Sequence, residues 1–275
     1  MDIDTHIVHI RTSQTAAFKQ SMQIIDQVIL EANIRFLSKK KNVSGIRFSR
    51  LTADKGILIK LNLNAENFDY FKCSAEEIKV GVNMEELCSM LDLIDDDYPM
   101  TLYMEDLTTL HIYSKTDSKE TDVKMQLMCI GDLDIPVPPT TFNKKIIISV
   151  DKFDEICNTF YTSGSHLIEI ASINNNKLSF KGNNTADEIV EVCENTPDDK
   201  VTTVVRGTFS LSYLMHFTKC TMCCMTMEMY LKDDFPLALV IPVATLGKMY
   251  VLVAPVESDG YYCSEPPDTA SATSR

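Results

Sequence analysis

The sequence predicts an α+β protein dominated by antiparallel sheet, and three observations carry that prediction. Apolar and polar residues alternate in many short segments, among them Ile57–Leu63, Leu107–Tyr113, Asp187–Cys193 and Met225–Leu231, the period-2 pattern of half-buried strands. Only four segments carry helical spacing. Both halves of the chain also run through one order of elements: a helix, hairpin strands, a strand leading into a second helix, then further strands. That order reads as an internal repeat on a sheet framework.

Each helix is short and one-sided. The first, from Thr15 to Ile29, puts Phe18, Met22, Ile25 and Ile29 on one face, and the second, N-capped by Asn83, gathers Met84, Leu87, Cys88 and Leu91. The third opens at Ser149 or Asp151 and stacks Phe153, Ile156, Cys157 and Phe160. The fourth is expected from Thr208 to Lys219 with Leu211, Leu214, Met215 and Thr218 inward. Helices with a single apolar stripe must lie on a sheet. The repeat is echoed in Val80-Gly81-Val82-Asn83-Met84 against Val205-Arg206-Gly207-Thr208-Phe209, and in Ile46-Arg47-Phe48-Ser49 against Lys177-Leu178-Ser179-Phe180.

These patterns divide the chain into residues 1–128, a connecting segment 129–143, residues 144–256, and a tail 257–275. The connecting segment holds Gly131, Pro136, Pro138 and Pro139, a density of proline that no central strand tolerates, so it reads as an extended linker. The tail loses periodicity and reads as disordered.

Composition excludes several classes. With 275 residues and 45% apolar content the chain buries a substantial core. No run approaches the about 18 apolar residues of a membrane span and Met1–Asp4 has no signal-peptide character, so the expectation is a soluble intracellular protein. Nine cysteines, an odd number spread from Cys73 to Cys263, do not form a secreted disulfide framework. A net charge of −13 argues against coating nucleic acid by bulk positive charge.

No active site is read. Cys220, Cys223 and Cys224 lack the second pair of ligands that a structural zinc needs. Asp95-Asp96-Asp97 follows the second helix as an exit loop, with no further ligand or base at a metal-nuclease spacing. No phosphate-cradling glycine loop or nucleophile elbow is present, and neither metal nor cofactor is expected.

The residues nevertheless resemble a known family. Ser44-Gly45-Ile46-Arg47-Phe48, Leu61 to Cys73, Gly81-Val82-Asn83-Met84, and Met125 to Met128 followed by Leu133-Asp134-Ile135-Pro136 are similar to the matching stretches of proliferating cell nuclear antigen (PCNA). Leu211 to Lys219, Phe235-Pro236-Leu237, Ala244-Thr245-Leu246-Gly247 and Leu252-Val253-Ala254-Pro255 continue the match in order. The resemblance implies the DNA clamp fold: two similar domains per chain, and a homotrimeric ring whose twelve helices line a hole. Such a ring is a non-catalytic processivity factor that encircles duplex DNA without regard to sequence. It serves as a docking platform for DNA polymerase and for replication and repair proteins bearing PCNA-interacting peptides, after placement by a clamp loader in the nucleus or wherever DNA is replicated. A subunit of a heterotrimeric checkpoint-type clamp is the alternative within this fold, and a metal-dependent nuclease is the remote one.

The resemblance also assigns residues. Lys19, Gln20, Lys152, Asn158, Ser212 and Lys219 fall on the DNA-facing helices, where Lys19 and Lys219 alone keep the family's charge and Lys152 is a nearby third candidate; Asp26, Glu85, Glu86, Asp92, Asp151, Asp154 and Glu155 oppose them, and Lys39-Lys40-Lys41 reads either as compensation from a turn beside the first helix or as a solvated loop. The partner-peptide pocket is expected from Leu51, Leu58, Leu133, Ile135, Pro236, Leu252, Val253, Ala254 and Pro255. Of these, Leu58, Leu252 and Val253 are equally readable as core. Subunits are expected to join by edge strands, with Val123, Met125 and Leu127 facing Ile189, Val190 and Val192 in an unassigned register.

Overall fold

A computed structural model of the protein describes residues 5–38, 43–131, 142, 144–174, 177–184, 188–192 and 204–256. The tail 257–275, the triple lysine at 39–41 and most of the connecting segment lie outside these residues.

The first half runs β1 (Val8–Thr12), α1 (Thr15–Asp26), β2 (Glu31–Leu37), β3 (Gly45–Leu51), β4 (Ile57–Asn64), β5 (Tyr70–Cys73), β6 (Glu77–Asn83), α2 (Met84–Leu91), β7 (Met100–Met104), β8 (Thr109–Lys115) and β9 (Glu120–Gln126). The second runs β10 (Lys144–Ser149), α3 (Val150–Thr162), β11 (Leu167–Asn174), β12 (Lys177–Gly182), β13 (Glu188–Val192), β14 (Val205–Ser210), α4 (Leu211–Met215), β15 (Thr226–Leu231), β16 (Leu237–Val243) and β17 (Gly247–Val253). The strands form three antiparallel sheets with orders β5-β1-β7-β8-β9, β10-β15-β16-β17-β4-β3-β2-β6 and β13-β12-β11-β14.

These orders contain a repeat. The arrangement β1-β7-β8-β9 recurs as β10-β15-β16-β17, and β6-β2-β3-β4 recurs as β14-β11-β12-β13. The repeats meet where β17 pairs with β4 from Gly247↔Leu63 to Val253↔Ile57. The sheet framework, the helix count and the twofold plan agree with the sequence prediction. Two helix bounds do not. α1 stops at Asp26, three residues short of Ile29, and α4 spans only Leu211–Met215 because Thr208, Phe209 and Ser210 are used as ladder residues opposite Glu169, Ile168 and Leu167. The echoes shift as well, the first by two residues and the second by one. Asn83 and Ser210 occupy the same N-cap position, so Gly81 corresponds to Thr208, and Phe48 corresponds to Phe180 because they face Ile34 and Ile170.

The helices pack into one layer on the sheets. Phe18, Met22 and Ile25 of α1 and Phe153, Ile156, Cys157 and Phe160 of α3 are buried in the core. α2 begins on Asn83, whose side chain accepts from the Glu86 amide at 2.9 Å, the usual N-cap solution for an unpaired helix donor. α1 is tied to α2 through Gln23 Nε2 and Asp92 Oδ1 (2.9 Å), and to the segment around α4 through Gln20 Oε1, which accepts from the Cys223 amide (2.9 Å). No helix among the described residues is long and apolar enough to cross a membrane.

Two glycines keep the joined sheet intact. Gly45 has φ +124°, and at Gly247 a Cβ would stand 2.0 Å from the Asn62 carbonyl oxygen in the neighbouring strand. At the exposed Gly131 a Cβ would meet nothing within 4 Å. Gly247→Ala is therefore expected to cost about 1–3 kcal/mol by forcing β17 from β4, while Gly131→Ala stays near neutral. Thermal unfolding of the two variants checks the contrast.

Candidate functional site

Two strand edges, one helical face and one cavity concentrate the candidate residues. Among the described residues β9 pairs only with β8, and β13 only with β12, so both are edge strands of their sheets. On β9, Val123 is half-buried and Met125 buried, with Leu127 half-buried just beyond it; on β13, Ile189 is half-buried and Val190 is 46% exposed. An apolar residue exposed on an unpaired edge invites pairing with another strand.

The helical face is more acidic than cationic. Lys19 is not available to it. Its side chain is buried, and Nζ donates to the Ile94 carbonyl at 2.8 Å and meets Asp96 Oδ1 at 2.6 Å. The carboxylate run after α2 thus neutralises the lysine expected to face DNA, because a buried ammonium requires a partner. Gln20 is engaged with Cys223, and half-buried Lys152 donates to Glu155 at 2.9 Å. Asn158 is half-buried, whereas Ser212 and Lys219 are exposed, and Lys219 makes no ion pair among the described residues. Burial, and then the neighbouring Glu85, push the Asp26 carboxyl above the usual carboxylate range.

The cavity has a volume of about 300 Å³ and lies over β4, β15, β16 and β17. Its walls are Leu58, Leu252, Ala238, Val240 and four aromatic residues, Phe142, Tyr230, Phe235 and Tyr250, with Lys60 beside them. Phe142 sits 5.5 Å from the Tyr230 ring and 5.8 Å from the Phe235 ring. Of the pocket residues expected from sequence, Leu58 and Leu252 line this cavity. Val253 is fully buried in the core, and Leu51 lines a separate groove of about 610 Å³ with Val28, Leu30, Arg50 and Lys55. Pro236, which follows the wall residue Phe235, is half-buried, as are Ala254 and Pro255 two and three residues beyond Leu252; Leu133 and Ile135 lie outside the described residues.

The halves of this architecture match two family models, the N-terminal domain of proliferating cell nuclear antigen over residues 7–135 and its C-terminal domain over residues 136–256. The chain belongs to the PCNA family. A probable DNA polymerase sliding clamp of Acanthamoeba polyphaga mimivirus is 37% identical over 295 residues, covering 93% of this chain; the chain spans only 63% of that relative's length. The probable DNA polymerase sliding clamp 1 of Paramecium bursaria Chlorella virus 1 is 25% identical, covering 94% of this chain and all of the relative. The crystal structure of PCNA from Entamoeba histolytica shares the fold with a TM-score of 0.80 at 19% identity, covering 91% of this chain and 99% of that one.

Sequence reading of this PCNA-family chain missed the aromatic walls. Tyr230 and Tyr250 alternate with core residues on their strands, a signal that marks a second, outward face without saying what covers it. It also missed a polar strip crossing the first sheet to the β9 edge. His6 Nδ1 and His9 Nδ1 stand 2.8 Å apart, His6 stacks on Tyr103 at 4.6 Å, and Tyr103 stacks on His111 at 4.5 Å. Asp122 of β9 accepts from the Tyr103 hydroxyl at 2.8 Å and meets His111 Nδ1 at 3.3 Å. Burial, and then His6, depress the His9 imidazole below its ordinary 6.5. A depressed imidazole is stabilising while neutral, so that contribution is present above about pH 6.5 and is lost as pH falls through the folded value. His9→Phe is expected to flatten the fall in melting temperature between pH 7 and pH 5; a fall as steep as the parent's places its cause elsewhere.

Proposed function

We propose that this chain is a sliding clamp that closes as a homotrimer around duplex DNA and serves as a processivity factor and docking platform for a DNA polymerase. The observation that carries the reading is the repeat of strand partners. β9 and β13, two of the edge strands among the described residues, are the repeat counterparts of β17 and β4, the strands already joined within the chain. Two complementary edges on opposite repeats make a head-to-tail interface, and such interfaces close into rings when the rotation permits. Three chains supply six such repeats. The names of the relatives favour a replicative clamp over a checkpoint-type heterotrimer.

The repeat also supplies a register. Leu61 faces Phe48 as Ile189 faces Phe180, and Met249 faces Ile241 as Thr121 faces Ser114. Since Met249 faces Leu61 within the chain, the same pairing between copies would set Thr121 opposite Ile189. In solution the mass is expected to be three times the 31.0 kDa of one chain. The double variant Thr121→Cys with Ile189→Cys is expected to give disulfide-linked dimers and trimers on a non-reducing gel that the parent chain does not. A monomer with no linked species refutes the ring.

Topological closure permits a weak lining, since a ring leaves DNA only by opening or reaching an end. The helical face supports weak contact, with Lys19 withdrawn and Lys219 an exposed cation among the described residues. Binding to linear duplex is expected to show a log–log salt slope of about −3, one phosphate per subunit at roughly 0.9 each. Lys219→Ala should flatten it; Lys19→Ala should lower the melting temperature and leave the slope. A slope of about −8 or steeper overturns this weak-contact reading.

The subunit plan behind this proposal is residues 1–128 and 144–256 as the two repeats, joined by 129–143. The aromatic cavity is the docking place for partner peptides. A clamp loader, repair partners and action at the site of replication, nuclear or otherwise, follow from the same reading.

A further inference from the structure

Taking the cavity as a peptide-docking place, its charges specify which peptides enter. We propose that it selects partners whose aromatic anchors are flanked by carboxylates. Four aromatic rings and Leu58, Leu252, Ala238 and Val240 make an apolar receptor that suits aromatic side chains. The cations around it are the second observation. Lys60 lines the cavity and forms no ion pair among the described residues. Lys232 places Nζ 5.0 Å from the Phe235 ring centroid and likewise meets no carboxylate there.

The remaining charges leave the same sign. Lys145 Nζ stands 3.2 Å from Glu228 Oε1 and Lys248 Nζ stands 3.9 Å from the same atom, so two lysines share one carboxylate. Burial opposes ionisation of Glu228, but hydrogen bonds from Tyr230 and Lys145 outweigh it and hold the carboxyl below its usual range. Asp233 and Asp234 lie in the turn before Phe235, and the Asp233 carboxylate is turned to the Arg206 amide at 3.0 Å. In a chain of net charge −13, lysines that meet no carboxylate among the described residues, beside an aromatic cavity, are a local exception.

A neutral or basic peptide covering Lys60 and Lys232 would strip water from them without replacing it, whereas a carboxylate would complete their pairing. Charge thus sets the choice among peptides, and the aromatic contacts hold whichever is chosen.

Two fluorescent peptides sharing one pair of aromatic residues, one flanked by Asp and Glu and the other by Lys and Arg, test this by anisotropy with the full chain. The acid-flanked peptide is expected to bind about tenfold tighter at low salt, the effect of a few rim charges. Lys60→Gln with Lys232→Gln should cut that ratio to about twofold while leaving the circular dichroism unchanged. Equal or tighter binding of the basic peptide overturns the selection and leaves docking standing. No binding of either peptide overturns docking and selection together. The chain itself carries Tyr261-Tyr262 between Asp259 and Glu265. If removal of residues 257–275 raises the affinity for the acid-flanked peptide tenfold or more, the tail is the cavity's occupant and selection of an external partner is overturned.

Discussion

Main-chain pairing between β17 and β4 is the contact on which the rest of the structure depends, because it makes one sheet out of two repeats and thereby fixes which edges stay open. The ladder runs from Gly247↔Leu63 to Val253↔Ile57 without a register shift. Buried backbone groups must be paired, and this ladder pairs them for both repeats at once. Within the chain one such pairing is made; its counterparts displaced by one repeat, β9 and β13, are edge strands. Gly45 and Gly247 protect the junction region by omitting side chains where strand backbones crowd.

Joining the repeats also sets the two faces of the molecule. One face carries the helices, tied laterally by Gln23 to Asp92 and Gln20 to the Cys223 amide. Polar links between helices hold the layer without adding positive charge, and the Lys19–Asp96 pair spends a lysine on internal cohesion. The other face carries Tyr230, Tyr250, Leu252 and Leu58, whose cavity exists only because β4 of one repeat lies beside β17 of the other. One pairing thus brings together the strands that wall the cavity.

The balance of charge follows a similar division. On the helices, carboxylates crowd until burial and Glu85 raise the Asp26 carboxyl, while around the cavity lysines outnumber the carboxylates that meet them. A net-charge figure for the chain describes neither face, since screening confines exposed charges to effects within about 10 Å.

The sequence by itself determined the sheet-dominated class, the four helices and the twofold plan, because period-2 and period-3.6 burial are local properties written into neighbouring residues. Phe153, Ile156, Cys157 and Phe160 could be read as one buried face for that reason. It also determined the family, through ordered segments such as Leu211 to Lys219. Only the tertiary structure decided that Lys19 is buried against Asp96, that Val253 is core while Leu252 lines the cavity, and that Leu51 opens to a different groove. It decided too that Thr208–Ser210 belong to a strand, since the ladder with β11 outweighs the helical spacing of three residues. Each of these depends on an atom distant in the chain, and the free energy of a buried charge or a shared ladder is settled by that partner, which no local pattern names.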